Sequence, residues 1–110
     1  MANPKVQFFK AFHDPQDIKD YGRNYTDFLD TDEDITASAW AITSEDEATP
    51  TLIEDTQGNS ISIDLKSTAI FVSGGTDEID YVLTNHITTL DDDGNIRQYD
   101  RETILRCRST

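Results

Sequence analysis

The chain has 110 residues, and its 22 acidic against 9 basic residues give a formal net charge of −13. This length suits one domain, and the acidic balance argues against nucleic-acid binding, which needs clustered Lys and Arg. The single cysteine, Cys107, excludes an internal disulfide, and no apolar run approaches the roughly 20 residues of a membrane span, so we expect a soluble protein that is not exported.

The first thirty residues show no regular alternation of apolar and polar side chains. We expect residues 1–13 to form an N-terminal arm and residues 14–110 to form the folded domain. The large apolar side chains of the arm either anchor in a pocket of a neighbouring protein or cover the chain's own core. These candidate interface residues are Val6, Phe8, Phe9 and Phe12.

Residues 18–29 fit two structures. Apolar positions recur at helical spacing, but Tyr21, Arg23 and Tyr25 also alternate as in a strand. Gly22 inside this run weakens a helix by about 1 kcal/mol relative to alanine. We therefore predict an extended first strand.

Clear alternation begins at residue 34. The segment DITASAWAIT predicts a strand in which Trp40 anchors the core and its indole N–H finds a partner. Further on, Gln-Gly-Asn at 57–59 predicts a turn. A half-buried strand is predicted after that turn, with three apolar residues on one face: Ile61, Ile63 and Leu65.

The last forty residues carry the most regular pattern. Residues 68–76 predict a short apolar strand ended by two glycines, and residues 81–89 and 96–107 alternate. Between the last two runs, DDDGN at 91–95 predicts a tight hairpin turn, because glycine and asparagine adopt positive φ at low cost. Six or so short strands without a convincing helix predict an all-β fold, an antiparallel β-sandwich.

Two acidic segments, residues 30–34 and 91–93, are candidates for calcium binding. The calcium loop of helix–loop–helix proteins needs glycine at its sixth position and glutamate at its twelfth. Gly94 and Glu102 do not fit that register. Because loose acidic loops of β-sandwiches also bind calcium, this alternative stays open beside the interpretation of 91–93 as a hairpin tip.

No constellation of nucleophile, base and oxyanion donor is visible. His13 precedes Asp14-Pro15, which marks a turn or linker, and His86 lies mid-strand, where a histidine is usually a surface or cross-strand partner. Cys107 lies in an alternating strand on the same face as Leu105, which predicts a small core residue. We predict no enzyme, no catalytic or metal-binding residues and no cofactor.

Residues 74–107 resemble the last hairpin of bacterial and phage immunoglobulin-like domains. Tyr81 stands at the position of their corner tyrosine, and Leu83 stands where antibody domains have a cysteine. The resemblance implies that both residues belong to the core, and that the Tyr81 hydroxyl reaches an upstream backbone group near residues 77–79.

A wider set of short motifs resembles the phage fiber-tail adaptor family. In chain order the matching residues are Asp14-Pro15, Asp20-Tyr21, Phe28-Leu29, Asp34-Ile35, Ser38, Trp40, Val72-Ser73-Gly74-Gly75-Thr76, Tyr81, Thr84-Asn85 and Ile87-Thr88-Thr89. Tyr25 and Phe28 stand where this family usually has tryptophans, and the first ten or so residues lie outside the match.

This resemblance implies a structural virion protein of a tailed bacteriophage, with an immunoglobulin-like sandwich of about seven strands. It implies an adaptor or decoration subunit, present in several copies, that joins fiber, tail, neck or capsid subunits. From the charge and the lack of a long apolar run we expect neither nucleic acid nor membrane as a partner. The protein is then made in the host cytoplasm and located in the virion. The alternative function is a calcium-dependent or carbohydrate-binding immunoglobulin-like module.

Overall fold

The computed structural model describes residues 9–109, with the backbone alone for Phe9 and Lys10. These residues form seven strands and no helix: β1 (Phe9–His13), β2 (Ile18–Asn24), β3 (Asp34–Thr43), β4 (Leu52–Ile61), β5 (Ser67–Gly74), β6 (Asp80–Leu90) and β7 (Ile96–Cys107). A four-stranded sheet of order β1-β7-β6-β3 packs against a three-stranded sheet of order β2-β5-β4. The predicted all-β sandwich is confirmed, and its two-sheet arrangement is consistent with an immunoglobulin-like domain.

The end of the predicted arm is part of the sandwich. Phe9–His13 pairs with β7, and the pairing is parallel, unlike every other strand pair of the two sheets. His13 is buried, and the turn predicted beside it begins at Asp14, whose carbonyl accepts a hydrogen bond from Asp17 N at 2.8 Å. The division of the chain at residue 13 stays a prediction for residues 1–8, including Val6 and Phe8, which lie outside the described residues.

The extended structure predicted after residue 18 is confirmed, since Ile18–Asn24 is β2 and pairs antiparallel with β5. The strand ends where the amides of Phe28 and Leu29 both donate to the Tyr25 carbonyl, at 2.9 Å each. Gly22 has a packing reason as well, because a Cβ there would lie 2.6 Å from the Thr68 carbonyl oxygen. Any larger residue would push the two strands apart.

Two predictions for residues 57–65 are wrong. Gln-Gly-Asn at 57–59 is not a turn but lies inside β4, whose pairing with β5 jumps from Glu54 to Asn59. Gly58 lies within this irregular stretch and has a positive φ of 78°. The expected strand face of Ile61, Ile63 and Leu65 does not form either, because Ile63 is wholly exposed and Leu65 has φ of 62°.

The chain turns at residues 62–66 because short polar side chains capture its backbone. Ser62 Oγ accepts from Ser67 N at 3.0 Å, and Asp64 Oδ1 accepts from Lys66 N at 3.1 Å. Such local side-chain bonds compete with a strand ladder. Here they override the two-residue spacing of the apolar side chains.

The hairpin predicted at residues 91–95 is confirmed. It joins β6 to β7 in register from Leu90↔Ile96 to Asp80↔Arg106. Gly94 has φ of 83°, and Asp91 Oδ1 accepts from the amides of Asp93 and Asn95 at 3.0 and 2.9 Å. The first aspartate therefore closes the turn, which explains its place in the acidic run.

Two apolar clusters fill the space between the sheets. The larger is formed by Leu52, Ile70, Val72, Tyr81, Leu83, Leu105 and Cys107, and the smaller by Tyr25, Leu29, Ile35 and Ile87. Asn85, fully buried, belongs to the same inner face of β6. Its Oδ1 accepts from Tyr25 Oη at 2.8 Å and Thr68 Oγ1 at 2.6 Å.

The other end of the Asn85 amide binds β3. Nδ2 donates to Ser38 Oγ at 2.9 Å and to the Ala39 carbonyl at 3.1 Å. All the bonding capacity of the buried amide is therefore used. The side chain links both sheets at a point where an apolar residue would leave several polar groups unpaired.

We expect Asn85→Ala to lower the free energy of unfolding by about 2–4 kcal/mol, because it leaves the buried hydroxyl groups of Tyr25 and Thr68 without their hydrogen-bond acceptor. Urea unfolding followed by circular dichroism measures this. The control is Thr84→Ala on the opposite face of β6, with an expected change within about 0.5 kcal/mol. Equal effects of the two substitutions would show that the Asn85 network does not stabilise the fold.

Candidate functional site

The structure separates the predicted core residues from the predicted interface residues. Tyr81 and Leu83 are fully buried, while Trp40 is half-buried and packs against the edge of the larger cluster. Phe12 is 59% exposed on β1. Phe9 pairs with Thr103 through its backbone.

The exposed Phe12 ring lies at an open edge of the sandwich. β1 is the outermost strand of its sheet, and the Arg108 guanidinium carbon lies 5.1 Å from the Phe12 ring centroid. Aromatic residues, Phe among them, and Arg are enriched in protein interfaces relative to the rest of the surface. This β1 edge is the first candidate docking surface.

His13 is part of the contact that connects the β1 edge to β2. The Tyr21 hydroxyl lies 2.9 Å from His13 Nδ1 and donates to the Phe12 carbonyl at 3.4 Å. Burial lowers the pKa of His13, although Asp17 and Asp14 oppose the shift, and burial raises the pKa of Tyr21 to about 12. Both side chains are thus held neutral, and they tie β1 to β2.

A second candidate surface lies on the opposite side of the sandwich. β3 and β4 are edge strands of the two sheets and lie beside each other. A groove of about 270 Å³ opens between them. Its lining is apolar apart from Glu54: Trp40, Ile42, Pro50, Leu52, Ile53 and Ile70.

Trp40 makes this groove unusual. Its Nε1 is buried and has no hydrogen-bond acceptor, so the prediction that the indole N–H finds a partner is wrong for the described residues. An unpaired buried donor costs about 1–3 kcal/mol. Ile53, 55% exposed on the rim, adds apolar surface that the sandwich does not cover.

Sequence reasoning missed the groove, because its walls come from strands of two different sheets and depend on the order of strands in each sheet. One local signal was present. Trp40 and Ile42 stand two residues apart in the second half of β3, where the other side chains are alanine and threonine. Large side chains on an edge strand have a neighbouring strand on one side only, so part of their apolar surface stays uncovered.

The corner tyrosine is tied to an acidic loop. Tyr81 Oη accepts from Thr76 N at 2.9 Å and donates to Glu47 Oε1 at 2.6 Å. The predicted contact with an upstream backbone group is present, one residue before the predicted range. Glu47 also accepts from Thr51 N at 3.0 Å and from Thr76 Oγ1 at 2.7 Å, and these hydrogen bonds, led by that of Tyr81, lower its pKa to about 2.

The two acidic segments meet at one end of the sandwich, where Asp92 N donates to Asp32 Oδ2 at 3.2 Å. Two basic side chains of the protein bind these acidic segments. Lys66 Nζ donates to the carbonyls of Asp30, Thr31 and Glu33 and pairs with Asp34 at 3.3 Å. Arg97 Nη1 lies 3.0 Å from Asp91 Oδ2.

Glu33 is the buried acid of this end. Burial alone would raise its pKa, but Thr89 Oγ1 at 2.5 Å, Asp30 N at 3.2 Å and Tyr99 Oη at 3.1 Å donate to it and leave the pKa below its ordinary value. Within residues 9–109 no group of three or more His, Cys, Asp or Glu is arranged to hold a metal ion.

The remaining chemical candidates have structural surroundings. His86 Nδ1 lies 2.6 Å from Asp100 Oδ1 on the neighbouring strand, the cross-strand pair predicted for it. Cys107 is buried, and burial, followed by nearby carboxylates, raises its pKa to about 11. Its thiol therefore stays protonated at neutral pH. The described part of the chain has no helix that could span a membrane.

Comparison with known families decides which kind of protein has this structure. The model of one family, described as podophage GP4 fiber-tail adaptor protein gp77, matches residues 13–106. The chain belongs to this family. The resemblance found in the sequence motifs is thereby confirmed, and family membership makes the adaptor a structural component of a phage virion. No curated protein matches the chain.

For this adaptor, Glu47→Gln tests the corner network. A carboxyl group whose folded pKa lies below 4.5 stabilises the fold fully above pH 4.5 and loses that effect as the pH falls towards about 2. We expect the melting temperature of E47Q to lie below that of the wild type at pH 7, and the gap to narrow between pH 4.5 and pH 2.5. Glu45→Gln, exposed on the same loop, is the control. A gap of constant size across this range would contradict the assignment.

Lys66→Met tests the end where the acidic segments meet. Methionine keeps the apolar stem but removes the ammonium group from three carbonyls and one carboxylate, and we expect a loss of about 2–3 kcal/mol in unfolding free energy. Urea unfolding measures it, with the exposed Lys19→Met as the matched control. The role given to Lys66 is wrong if both substitutions change the urea midpoint equally.

Proposed function

We propose that the chain is an adaptor subunit that joins tail and fiber components in the particle of a podophage. The observation that carries this proposal is the family match, which spans residues 13–106 and so covers nearly all of the sandwich. An adaptor acts by contact, and we propose that this one has no catalytic role. Its partners are then other structural proteins of the phage, and it is present in several copies.

The proposed docking element is the N-terminal segment that leads into β1. Its candidate contact residues are Val6, Phe8, Phe9 and Phe12. Support comes from Phe12, one of the five phenylalanines of the chain, whose ring is 59% exposed on an edge strand and not buried in the core. The segment is also unlike the rest of the chain in charge, since residues 1–13 contain two lysines and no acidic residue.

The rest of the surface supports contacts with protein and not with nucleic acid. A net charge of −13 repels a phosphate backbone. The open edges of the two sheets offer backbone groups for pairing with other chains. Repetition of such contacts around a particle gives strong attachment from individually modest interfaces.

Replacing Phe12 in the phage genome tests the docking element. We expect Phe12→Ser to lower the amount of adaptor in purified particles by roughly 30-fold, the effect of losing an interface residue worth about 2 kcal/mol. Quantitative mass spectrometry of the particles measures the adaptor, and electron microscopy counts the attached fibers. The same measurements are made on a deletion of residues 1–8.

The control for exposure is Ile63→Ser, which removes a wholly exposed apolar side chain from the turn between β4 and β5. Thermal unfolding of each purified variant shows whether the sandwich still folds. Particles with a normal content of folded F12S and of the deleted chain would overturn the N-terminal segment as docking element. A normal number of attached fibers on particles made after complete removal of the gene would overturn the adaptor role itself.

A further inference from the structure

The groove between β3 and β4 and the N-terminal segment have complementary properties. Both walls of the groove belong to residues 24–65, which contain eleven acidic residues and no lysine or arginine. Residues 1–13 are the longest stretch of the chain without an acidic residue. They carry Lys5 and Lys10 between apolar side chains.

We infer that residues 1–8 of one copy bind in the β3–β4 groove of a second copy, as an added strand along the free edge of β3. This inference rests on the proposed function, in which the N-terminal segment is the docking element, and it names both the partner and the surface that receives it. The contact is between two copies of this chain.

Length supports an added strand. Eight extended residues span at most roughly 26–29 Å, and the ten residues of β3 extend over roughly 33 Å. In an extended segment Val6 and Phe8 project on the same side, because they are two residues apart. That spacing suits a groove with one apolar floor.

One residue that lines the groove has a polar atom without a partner in the described part of the chain. The buried Trp40 Nε1 has no acceptor in the described residues. A neighbouring strand brings backbone carbonyl groups to this edge, so the segment supplies an acceptor together with its apolar side chains. Glu54 gives the groove wall a carboxylate, and in the proposed contact Lys5 supplies the opposite charge.

Register favours a second copy over the chain's own N-terminus. Phe9 pairs with Thr103, Thr103 with Leu83, and Leu83 with Ile42, so β1 begins level with the groove but at the opposite edge of the sheet. Three strand spacings, roughly 14 Å, separate the two edges. A segment folding back on its own groove would have to cross the whole sheet, whereas a neighbouring copy approaches the open side directly.

The contact is heterologous, because the segment and the groove are different surfaces. Two variants that each lose one side of it therefore complement each other. Phe8→Asp damages the segment and leaves the groove intact, while Ile53→Asp damages the groove and leaves the segment intact. Each aspartate places a charge in an apolar contact beside Glu54 and weakens self-association by roughly 100-fold.

The experiment is analytical ultracentrifugation of the full chain over a range of concentrations. We expect the wild type and the control Ile63→Asp to form assemblies larger than dimers, the two variants to be monomers, and their equimolar mixture to form a dimer that grows no further. Since Trp40 is the only tryptophan, its fluorescence reports the groove directly. A shift of its emission to shorter wavelength is expected on association and on mixing.

A wild type that stays monomeric at all concentrations would overturn the inference, and so would self-association of I53D or a mixture of the variants that stays monomeric. These outcomes differ from a failure of the proposed function. A monomeric wild type together with loss of F12S and the deleted chain from particles would leave the adaptor role intact and move its contact to another protein. Circular dichroism of F8D and I53D checks that both variants fold, and we expect spectra equal to that of the wild type.

Discussion

The inner face of β6 is the constraint on which the rest of the fold depends. Every second residue from Tyr81 to Thr89 is buried, and along this face side chains with a polar group alternate with purely apolar ones. Leu83 and Ile87 belong to the two apolar clusters, while three polar side chains bind segments outside the strand. Tyr81 binds the loop before β4 through Glu47, Asn85 binds Tyr25 and Thr68, and Thr89 binds Glu33 before β3. One strand therefore positions both the opposite sheet and the two loops at its ends.

The same interactions explain how so acidic a chain folds. Several carboxylates are held by donors inside the molecule: Glu33 by hydroxyl groups and an amide, Glu47 by the corner network, and Asp91 by the amides of its own turn. Lys66 and Arg97 neutralise the end where acidic segments meet. The Lys66 ammonium lies against three backbone carbonyls of segment 30–34, one of the two acidic segments that the sequence made candidates for calcium binding. The acidic segments are parts of the framework and leave contact surfaces elsewhere.

Local chemistry explains which features could be predicted from sequence. The β6–β7 hairpin was predictable because alternation and turn residues agree at 91–95, and β2 was predictable because Gly22 disfavours a helix. The strand expected at Ile61, Ile63 and Leu65 was wrong because Ser62 and Asp64 bind the backbone of a turn. The partial exposure of Trp40 was not predictable, since it depends on β3 being an edge strand, and strand order is a property of the whole chain. The groove was out of reach for the same reason.

The two open sides of the sandwich differ in a way that suits a joining protein. The β1 side presents an exposed aromatic ring beside an arginine and is the exit of a segment free of acidic residues. The β3–β4 side presents an apolar groove in the most acidic part of the chain. Two like edges would pair a subunit with itself and close the contact in a dimer. Unlike edges leave one surface free after each contact, so every added copy can still bind a neighbour, which is the property that a subunit needs if it is to connect different parts of a particle.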